Sequence, residues 1–394
     1  MIGLWLNEWK KIRKNRFLWI FFCLFFFVNL YQILHTYEFY KQTSEEYQTG
    51  YEKLYSELKG SITKEKVQFI INKFNETKVE QGTELEYAGE KNKEGYTGYV
   101  LGDWALISDF YDRMKYAYEY EQWSDQIVKK IEKNIDFFQG IGLNNQVQKN
   151  EMLKKHFADR KLQNLFVMDH WIYYIEYDFS SLLVILLIAF GTVSLVLEER
   201  QTEMEQLIDT TCIGRKRTKL AKLLAAFFNT CILTVFFRGM DLILFAHLFG
   251  YEGWSQPIYS LEVWKMELYK MTMWQYVGMD VLLKLLGMMI FCAVCLVVVR
   301  YGKNVFVIYI CIVAILIGFF ACHIQGWDAI TPFSLITNRN LIQNFSIISI
   351  FHKSYSALEW ASIGNISVLL LFSILFCSNL NIKQVMNNFK RNRY

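Results

Sequence analysis

Proline is almost absent from this chain, with 2 prolines among 394 residues. The net charge is also small at +4, so no overall basic field points to a nucleic-acid partner. The 8 cysteines all lie outside the polar stretch from Tyr37 to Glu176, which excludes a disulfide framework in that stretch. These absences argue against a nucleic-acid-binding protein and a disulfide-rich scaffold.

Motifs that carry chemistry are missing from the sequence as well. No G-x-x-x-x-G-K-[ST] motif occurs, because the Gly302–Lys303 pair lacks a glycine five residues upstream. There is no H-E-x-x-H, and the 6 histidines are scattered along the chain. We therefore expect a non-catalytic chain that holds no cofactor and no metal of its own.

What the sequence has in abundance is apolar and aromatic residues, at 53% and 17%. This composition is typical of a membrane protein. A membrane-spanning helix needs about 20 apolar residues. The segments that qualify are Phe17–Tyr37, Ser180–Leu197, Leu223–Phe249, Tyr276–Val299, Val305–His323 and Ile366–Leu380. The last segment is short, which leaves an earlier start open. The predicted fold is an all-α polytopic membrane protein with six transmembrane helices.

Basic clusters predict the orientation of these spans. The clusters at Lys10–Arg16, Arg215–Lys222, Arg300–Lys303 and Lys383–Arg393 fall on one side when six spans alternate. By the positive-inside rule that side is the cytoplasm, so both termini are expected to be cytoplasmic in a plasma-membrane protein. The predicted organisation begins with a cytoplasmic interfacial helix (1–16), a first span (17–37), an extracellular helical domain (38–176) and a second span (177–197). A cytoplasmic hairpin (198–222) follows. The remainder (223–394) contains the other four spans, extracellular segments at 250–275 and 324–365, and a cytoplasmic tail.

Two regions outside the spans show helical periodicity. Ile2, Trp5, Trp9 and Ile12 recur at helical spacing, which predicts a short helix lying on the inner membrane surface. In the large insertion, apolar and aromatic residues recur at i, i+3 and i+4 in Thr43–Gly60 and in Tyr111–Gln139. A glycine-rich stretch at 89–103 predicts a loop between them. We therefore expect a mainly helical extracellular domain.

The stretch after the second predicted span, LEERQTEMEQLIDTTCIGRKRTKLAKLLAAF, is unusually rich in charge. A continued helix would place Met204, Leu207 and Ile208 on one face, away from most of the acidic residues. Gly214 can close the turn before the next span. The pattern predicts a stiff charged hairpin that projects into the cytoplasm.

This hairpin resembles the coupling helix of permease subunits of ABC transporters of the ABC-2 class. Such permeases typically carry an acidic and basic start after the second span, a short amphipathic helix with a leucine pair and a threonine, a glycine followed by a basic residue, and a lysine that opens the third span. The matching residues here are Glu198, Glu199, Arg200, Glu203, Leu207, Ile208, Thr211, Gly214, Arg215 and Lys222. Six spans, a surface helix with Glu8 and an outer segment with Pro332 extend the resemblance to all but residues 38–175, a domain that many members lack.

The resemblance implies partners and a function. In that family the hairpin docks in a groove of the ATPase subunit, which implies an apolar dock of Met204, Leu207 and Ile208 with a charged rim. The implied ATPase-coupling residues are Glu199, Arg200, Glu203, Met204, Leu207, Ile208, Gly214 and Arg215. The expected partners are an ABC ATPase subunit that binds ATP and magnesium, a second permease, identical or different, and the lipid bilayer. The expected function is ATP-driven transport of a substrate such as a peptide antibiotic or a lipid-like amphiphile.

Four charged residues lie inside the predicted spans. Arg238 and Asp241 are three apart in the third span, and Asp280 and Lys284 are four apart in the fourth. Because an unpaired charge at a span centre costs about 2.5–3.5 kcal/mol, we expect intramembrane charge pairs within or between the two helices. Asp241 and Lys284 lie at similar depth, which favours a fixed clasp between them. A polar patch on a substrate path is the alternative reading.

Two other classes of function stay open at this stage. A membrane sensor or scaffold would bind a ligand on its extracellular domain and recruit a signalling partner through the cytoplasmic hairpin, although no sizeable cytoplasmic domain is predicted. An intramembrane enzyme would need a catalytic pair within the spans. Asp241 and Asp280 are the candidate carboxylates for such a pair, but each has a base nearby as the more natural partner.

Overall fold

A computed structural model shows a mostly helical chain. It describes residues 1–40, 45–77, 90–92, 94–202, 204, 208, 214–267, 269–302, 304–326, 331–343, 347–350 and 353–378. Within these residues, six helices are long and apolar enough to cross a membrane, which confirms the predicted all-α polytopic class. These spans are Arg16–Tyr40, Asp169–Gln201, Lys216–Phe249, Met273–Tyr301, Val305–Ile324 and Ala357–Cys377.

The described residues form fourteen α-helices. In chain order they are α1 (Ile2–Lys14), α2 (Arg16–Tyr40), α3 (Glu45–Leu58), α4 (Lys64–Thr77), α5 (Val100–Gly140), α6 (Asn144–Phe157), α7 (Asp169–Glu176), α8 (Phe179–Gln201), α9 (Gly214–Phe249), α10 (Met273–Tyr301), α11 (Val305–Ile324), α12 (Pro332–Ile336), α13 (Arg339–Gln343) and α14 (Ala357–Cys377). Two short 3-10 turns lie before α10, at Ile258–Ser260 and Glu262–Trp264.

Extended structure among the described residues is limited to two antiparallel pairs and two isolated bridges. Strand β1 (Gly60–Ser61) pairs with β2 (Asn164–Leu165), with Gly60 opposite Leu165. Strand β3 (Ile347–Ile350) pairs with β4 (Lys353–Ser356), with Ile350 opposite Lys353. The first pair joins the connection between α3 and α4 to the segment just before α7.

The sixth span begins earlier than predicted. Its helix α14 starts at Ala357 rather than Ile366, so the predicted segment 324–365 does not extend to residue 365. Ser356 and Glu359 form a capping box, in which each side chain accepts a hydrogen bond from the other residue's backbone N–H. Polar residues near the start of this helix, such as Glu359 and Asn365, lower its apolar content there. The predicted start was therefore too late in the chain.

The spans differ in how deeply they lie within the bundle. The apolar windows of Asp169–Gln201 and Met273–Tyr301 are 78% and 61% buried, so α8 and α10 form the centre of the membrane part. The windows of α2, α11 and α14 are only 17%, 11% and 17% buried. These three helices therefore expose wide apolar faces at the periphery of the chain.

Residues 45–168, hereafter the inserted domain, have a hydrophobic core of their own. Leu54, Leu106, Ile107, Phe110 and Met114 from α3 and α5 are all at most 1% exposed. The predicted helical segments therefore pack their apolar faces together. The inserted domain is also fastened to the segment before α10, because Tyr116 and Tyr120 of α5 donate hydrogen bonds to the carbonyls of Tyr259 and Lys265.

The apolar stripe on α1 faces the protein over much of its length. Trp5 and Trp9 both lie edge-on to Phe228 of α9, at ring-centroid distances of 5.2 and 5.3 Å. Ile12 is 2% exposed, whereas Ile2 at the start of the helix is 75% exposed. The helix predicted for this region is thus present, and its stripe packs on the third span.

Candidate functional site

The four predicted intramembrane charges come together in one buried site. Arg238, Asp241, Asp280 and Lys284 are 2%, 0%, 1% and 2% exposed. Arg238 and Asp241 lie on α9, and Asp280 and Lys284 on α10. We call these four residues, with Asp178 between α7 and α8, the buried charge network. Its two cations and three carboxylates nearly balance, as their burial requires.

Arg238 is the central member of this network. Its Nε lies 2.7 Å from Asp280 Oδ2, which joins α9 to α10. Its terminal nitrogens donate to the backbone carbonyls of Tyr177 and Tyr174, at 2.9 and 3.1 Å. Its guanidinium also lies over the Tyr174 ring, 3.8 Å from the centroid. This side chain of α9 thus contacts α7, α10 and the residue that follows α7.

The role of Arg238 follows from a break in the second span. The span Asp169–Gln201 consists of α7 and α8, which are interrupted at Tyr177 and Asp178. Carbonyls at the end of a helix lack partners within the helix, and water is scarce at this depth. Arg238 satisfies two of these carbonyls. The break is therefore stabilised by a charged side chain from another span.

The predicted clasp between the third and fourth spans is present, but it joins Arg238 to Asp280 instead of Asp241 to Lys284. Asp241 accepts hydrogen bonds from Asn29 Nδ2, at 2.7 Å, and from Ser180 Oγ. Lys284 Nζ instead contacts Asp178 Oδ1 and the Ile336 carbonyl, both at 2.6 Å. The ion pair between the two spans is Arg238 with Asp280. Counting residues from the helix ends estimates depth but ignores the side of the helix on which each residue lies.

A second charged cluster surrounds the last turn of α8. Glu199 is 6% exposed and lies 2.6 Å from Lys11 Nζ of α1. The ammonium of Lys222 on α9 contacts the other oxygen of the same carboxylate. Lys11 also pairs with Glu8, at 2.9 Å. Glu199 therefore joins α8 to α1 and α9, and it faces the protein interior.

Arg200 joins the same end of α8 to α10. Its guanidinium donates to the carbonyls of Val299, Arg300 and Gly302, at 2.9, 2.6 and 2.6 Å. Arg300, at the end of α10, makes the same kind of contact with the end of α14. It donates to the carbonyls of Leu375, Phe376 and Ser378. Guanidinium groups with several donors suit such helix ends. We call Lys11, Glu199, Arg200 and Lys222 the α8-end clamp.

Burial and pairing shift the pKa values of the α1 residues at this clamp. Burial raises the pKa of Glu8 above its ordinary value, and this effect outweighs the hydrogen bond from Lys11. Burial alone would lower the pKa of Lys11, but hydrogen bonds to Glu199 and Glu8 outweigh it and raise that pKa. Lys11 therefore stays charged at neutral pH and holds the two carboxylates together.

The other predicted coupling residues differ in their exposure, and some of them lie outside the described residues. Met204 is 48% exposed and Ile208 is half-buried. Gly214 begins α9, and the turn predicted before it lies outside the described residues. Glu203, Leu207 and the side chain of Arg215 lie outside the described residues. The apolar dock predicted for Met204, Leu207 and Ile208 thus stays a prediction.

Several partners of these clusters were missed from the sequence. Asn29, Asp178 and Asn338 all contact members of the buried charge network. Asn29 interrupts the apolar run FFFVNLY, and a lone amide in a span is a signal that a partner lies nearby. Asp178 lies near the predicted start of the second span, and Asn338 lies within the predicted extracellular segment 324–365. Polar residues are common in both places, so neither residue stands out in the sequence.

The arrangement can hold helices together, because the charged side chains of the two clusters contact groups on neighbouring helices. Among the described residues, no group of three or more His, Cys, Asp or Glu side chains is placed to hold a metal ion. Comparison of the chain with models of protein families, with curated proteins and with solved structures finds no match.

Proposed function

We propose that this chain is the membrane-spanning permease subunit of an ABC transporter of the ABC-2 type, in the plasma membrane. ATP hydrolysis would take place on a separate ATPase subunit, with its magnesium ion, that docks on the segment between α8 and α9. The observation that carries this proposal is the α8-end clamp. The resemblance of the sequence around Glu199 and Arg200 to coupling helices supports the same assignment.

The clamp explains how a push on the hairpin would reach the spans. Glu199 and Arg200 lie in the last turn of α8, directly before the proposed docking segment. Their contacts run to α1, α9 and α10, and Arg300 extends them to α14. A displacement of the hairpin would therefore move several helix ends together. These two residues would act behind the docking surface as positioning residues, with Met204, Leu207 and Ile208 as the dock.

The proposed topology places the clamp on the cytoplasmic side and the inserted domain outside the cell. The basic residues near the ends of α1, α9 and α10 support this orientation through the positive-inside rule. Helix α1 would lie at the inner membrane surface, with Ile2 towards lipid and Trp5 and Trp9 towards α9. Both termini would be cytoplasmic.

A second permease, identical or different, would complete the transport pathway. The exposed apolar faces of α2, α11 and α14 are wide enough for both lipid and another copy. The cargo would be a peptide antibiotic or a lipid-like amphiphile that the inserted domain meets outside the membrane. The buried charge network would keep the broken second span in register during transport.

Affinity purification in mild detergent tests the proposal. The native chain and a variant with Leu207→Asp and Ile208→Asp are purified from the native membrane, and bound proteins are identified by mass spectrometry. We expect an ATPase with a phosphate-binding loop to accompany the native chain and to be lost from the variant, because two carboxylates would disrupt an apolar dock.

A matched control places the same change on the opposite side of the membrane. Ile141 and Leu143 in the inserted domain are 53% and 49% exposed, so Ile141→Asp with Leu143→Asp adds two charges without disturbing a core. This variant should retain the ATPase. If the folded native chain recovers a signalling protein and no ATPase, the proposal is overturned in favour of a sensor or scaffold.

A further inference from the structure

An open cavity of about 490 Å³ lies where the inserted domain meets the ends of two spans. Tyr37 and Tyr40 at the end of α2 and Leu248 and Phe249 at the end of α9 form its membrane side. Residues of α3 and α5 form the opposite wall. The volume is within the range of pockets that hold small molecules. Neither the buried charge network nor the α8-end clamp includes any of the residues that line this cavity.

Tyrosine rings dominate the walls of this cavity. Five tyrosines line it, namely Tyr37, Tyr40, Tyr47, Tyr51 and Tyr55. They are held by packing, since Tyr51 and Tyr55 stack at 6.2 Å and Tyr40 lies edge-on to Phe249 at 4.9 Å. Burial raises the pKa of Tyr47 and Tyr51 above the ordinary phenol value, so both rings are neutral at physiological pH. The faces of neutral aromatic rings attract cations.

The charged residues of the cavity have an excess of carboxylates. Glu52, Asp109, Asp169 and Arg113 line it, which leaves two net negative charges. The only lining cation among the described residues, Arg113, is already engaged, at 3.1 Å from Asp109 and 3.7 Å from Asp169. Glu52 is exposed. The electrostatic field of the cavity therefore favours a positively charged ligand.

We propose that this cavity binds an organic cation, a primary or quaternary ammonium group attached to an apolar body. The tyrosine rings surround the ammonium group, and Glu52 with the Asp109–Asp169 pair supplies the negative charge. The apolar body lies towards Leu248 and Phe249, where the spans enter the bilayer. Binding stands on this geometry alone, and only the identification of the bound cation as cargo rests on the proposed transport function.

Binding is measured on the full chain in nanodiscs of digalactosyl diacylglycerol, an uncharged lipid without an amine. The probes are octyltrimethylammonium and octyl sulfate, which share an alkyl chain and differ in charge, and empty nanodiscs correct for partition into lipid. Isothermal titration calorimetry should detect saturable binding of the ammonium probe and none of the sulfate. Equal binding of both probes, or of neither, overturns the proposal.

Two matched pairs of variants locate the site. Glu52→Gln removes a carboxylate from the cavity, and Glu46→Gln makes the same change on an exposed position of α3 outside it. Tyr47→Leu removes a ring face, and Tyr47→Phe keeps the ring without its hydroxyl. We expect Glu52→Gln and Tyr47→Leu each to weaken binding by about three- to tenfold, and Glu46→Gln and Tyr47→Phe to bind like the native chain.

The outcomes separate this proposal from the proposed function. Equal affinities of Glu52→Gln and Glu46→Gln would overturn the site, whichever ATPase is recovered in the purification experiment. Saturable cation binding by a chain that recovers no ATPase would leave the site in place and remove the transport assignment. Should Tyr47→Leu fail to fold, the glutamate pair decides the outcome alone, because both glutamates are exposed.

Discussion

At the scale of single residues, each member of the buried charge network and of the α8-end clamp contacts a specific partner. Arg238 satisfies a carboxylate and two carbonyls, Lys284 a carboxylate and one carbonyl, and Glu199 two ammonium groups. Such pairs offset the desolvation of their charges only when both members are present. Removal of one member should therefore cost more than removal of both, which allows the pairs to be tested.

A double-mutant cycle tests the pair that joins α9 to α10. We expect Arg238→Met to destabilise the chain by about 3–5 kcal/mol, since Asp280 loses its closest partner and two carbonyls lose their donor. Asp280→Asn in the same background should cost less than it does alone. The measurement is unfolding by SDS titration in mixed micelles, with a coupling energy of about 1 kcal/mol or more expected.

The same cycle on Asp241→Asn and Lys284→Met is the control. The closest partners of these two residues differ, but both residues border the Arg238–Asp280 pair, since Asp241 lies 3.7 Å from Arg238 and Lys284 lies 3.6 Å from Asp280. We therefore expect a coupling energy between them that is smaller than the coupling between Arg238 and Asp280. A coupling between Asp241 and Lys284 as large as that between Arg238 and Asp280 would contradict the pairing described above.

Adjacent glutamates provide a test of the α8-end clamp. Glu199→Gln leaves the buried Lys222 without a charged partner, and we expect it to lower stability by about 3 kcal/mol. Glu198→Gln, one residue away on the exposed side, should change stability by less than about 0.5 kcal/mol. Melting temperatures in detergent compare the two variants, and equal losses would argue against a structural clamp.

At the scale of elements, the short helix α12 lies close against the middle of α10. A Cβ atom on Gly287 would lie 2.7 Å from Ile336 Cγ1 and 2.9 Å from the Pro332 carbonyl oxygen. Only glycine permits this approach, which brings the Ile336 carbonyl within reach of Lys284. The apolar segment after α11 therefore packs on a central span, and backbone contact sets its position.

Two glycine substitutions in α10 test this contact. Gly287→Ala should destabilise the chain by about 1–3 kcal/mol, because α12 must move away from α10. Gly278→Ala lies in the same helix with no atom within 4 Å of the added Cβ, so it should be neutral or stabilising. Thermal unfolding in nanodiscs distinguishes them, and a Gly287→Ala variant as stable as the native chain would exclude a tight contact.

At the scale of the whole molecule, the inserted domain and the spans are joined by more than two chain connections. Trp171 of α7 donates to the Glu252 carbonyl, and Tyr120 of α5 stacks on Tyr259 at 5.2 Å. The segment before α10 thus lies between the inserted domain and the bundle. These contacts would transmit a movement of the spans to the inserted domain. The tyrosine-lined cavity lies where the inserted domain meets the spans.

Cysteine labelling tests the proposed orientation. In a background without native cysteines, Lys53→Cys in the inserted domain should react with a membrane-impermeant maleimide on intact cells. Lys216→Cys at the start of α9 should react only after the membrane is opened. Both positions are exposed, so access decides the result. Labelling of Lys216→Cys on intact cells, with Lys53→Cys protected, would reverse the proposed topology.

The sequence by itself determined the membrane class, the six apolar helices and the helical character of the inserted domain. Each of these depends on local composition or periodicity, which can be read within a window of about 20 residues. Helices α3 and α5 were predicted for this reason. The predicted start of the sixth span was too late, because the capping residues and the polar residues of its first turns lower the local apolar content.

Only the tertiary structure decided which charges pair, where the second span breaks and which tyrosines share a cavity. The partners are far apart in the chain: 188 residues separate Lys11 from Glu199, and 212 separate Asn29 from Asp241. A sequence shows that a buried charge needs a partner, because desolvation is costly. It does not show the side of the helix on which each candidate lies once the spans pack, and that packing selects the partner.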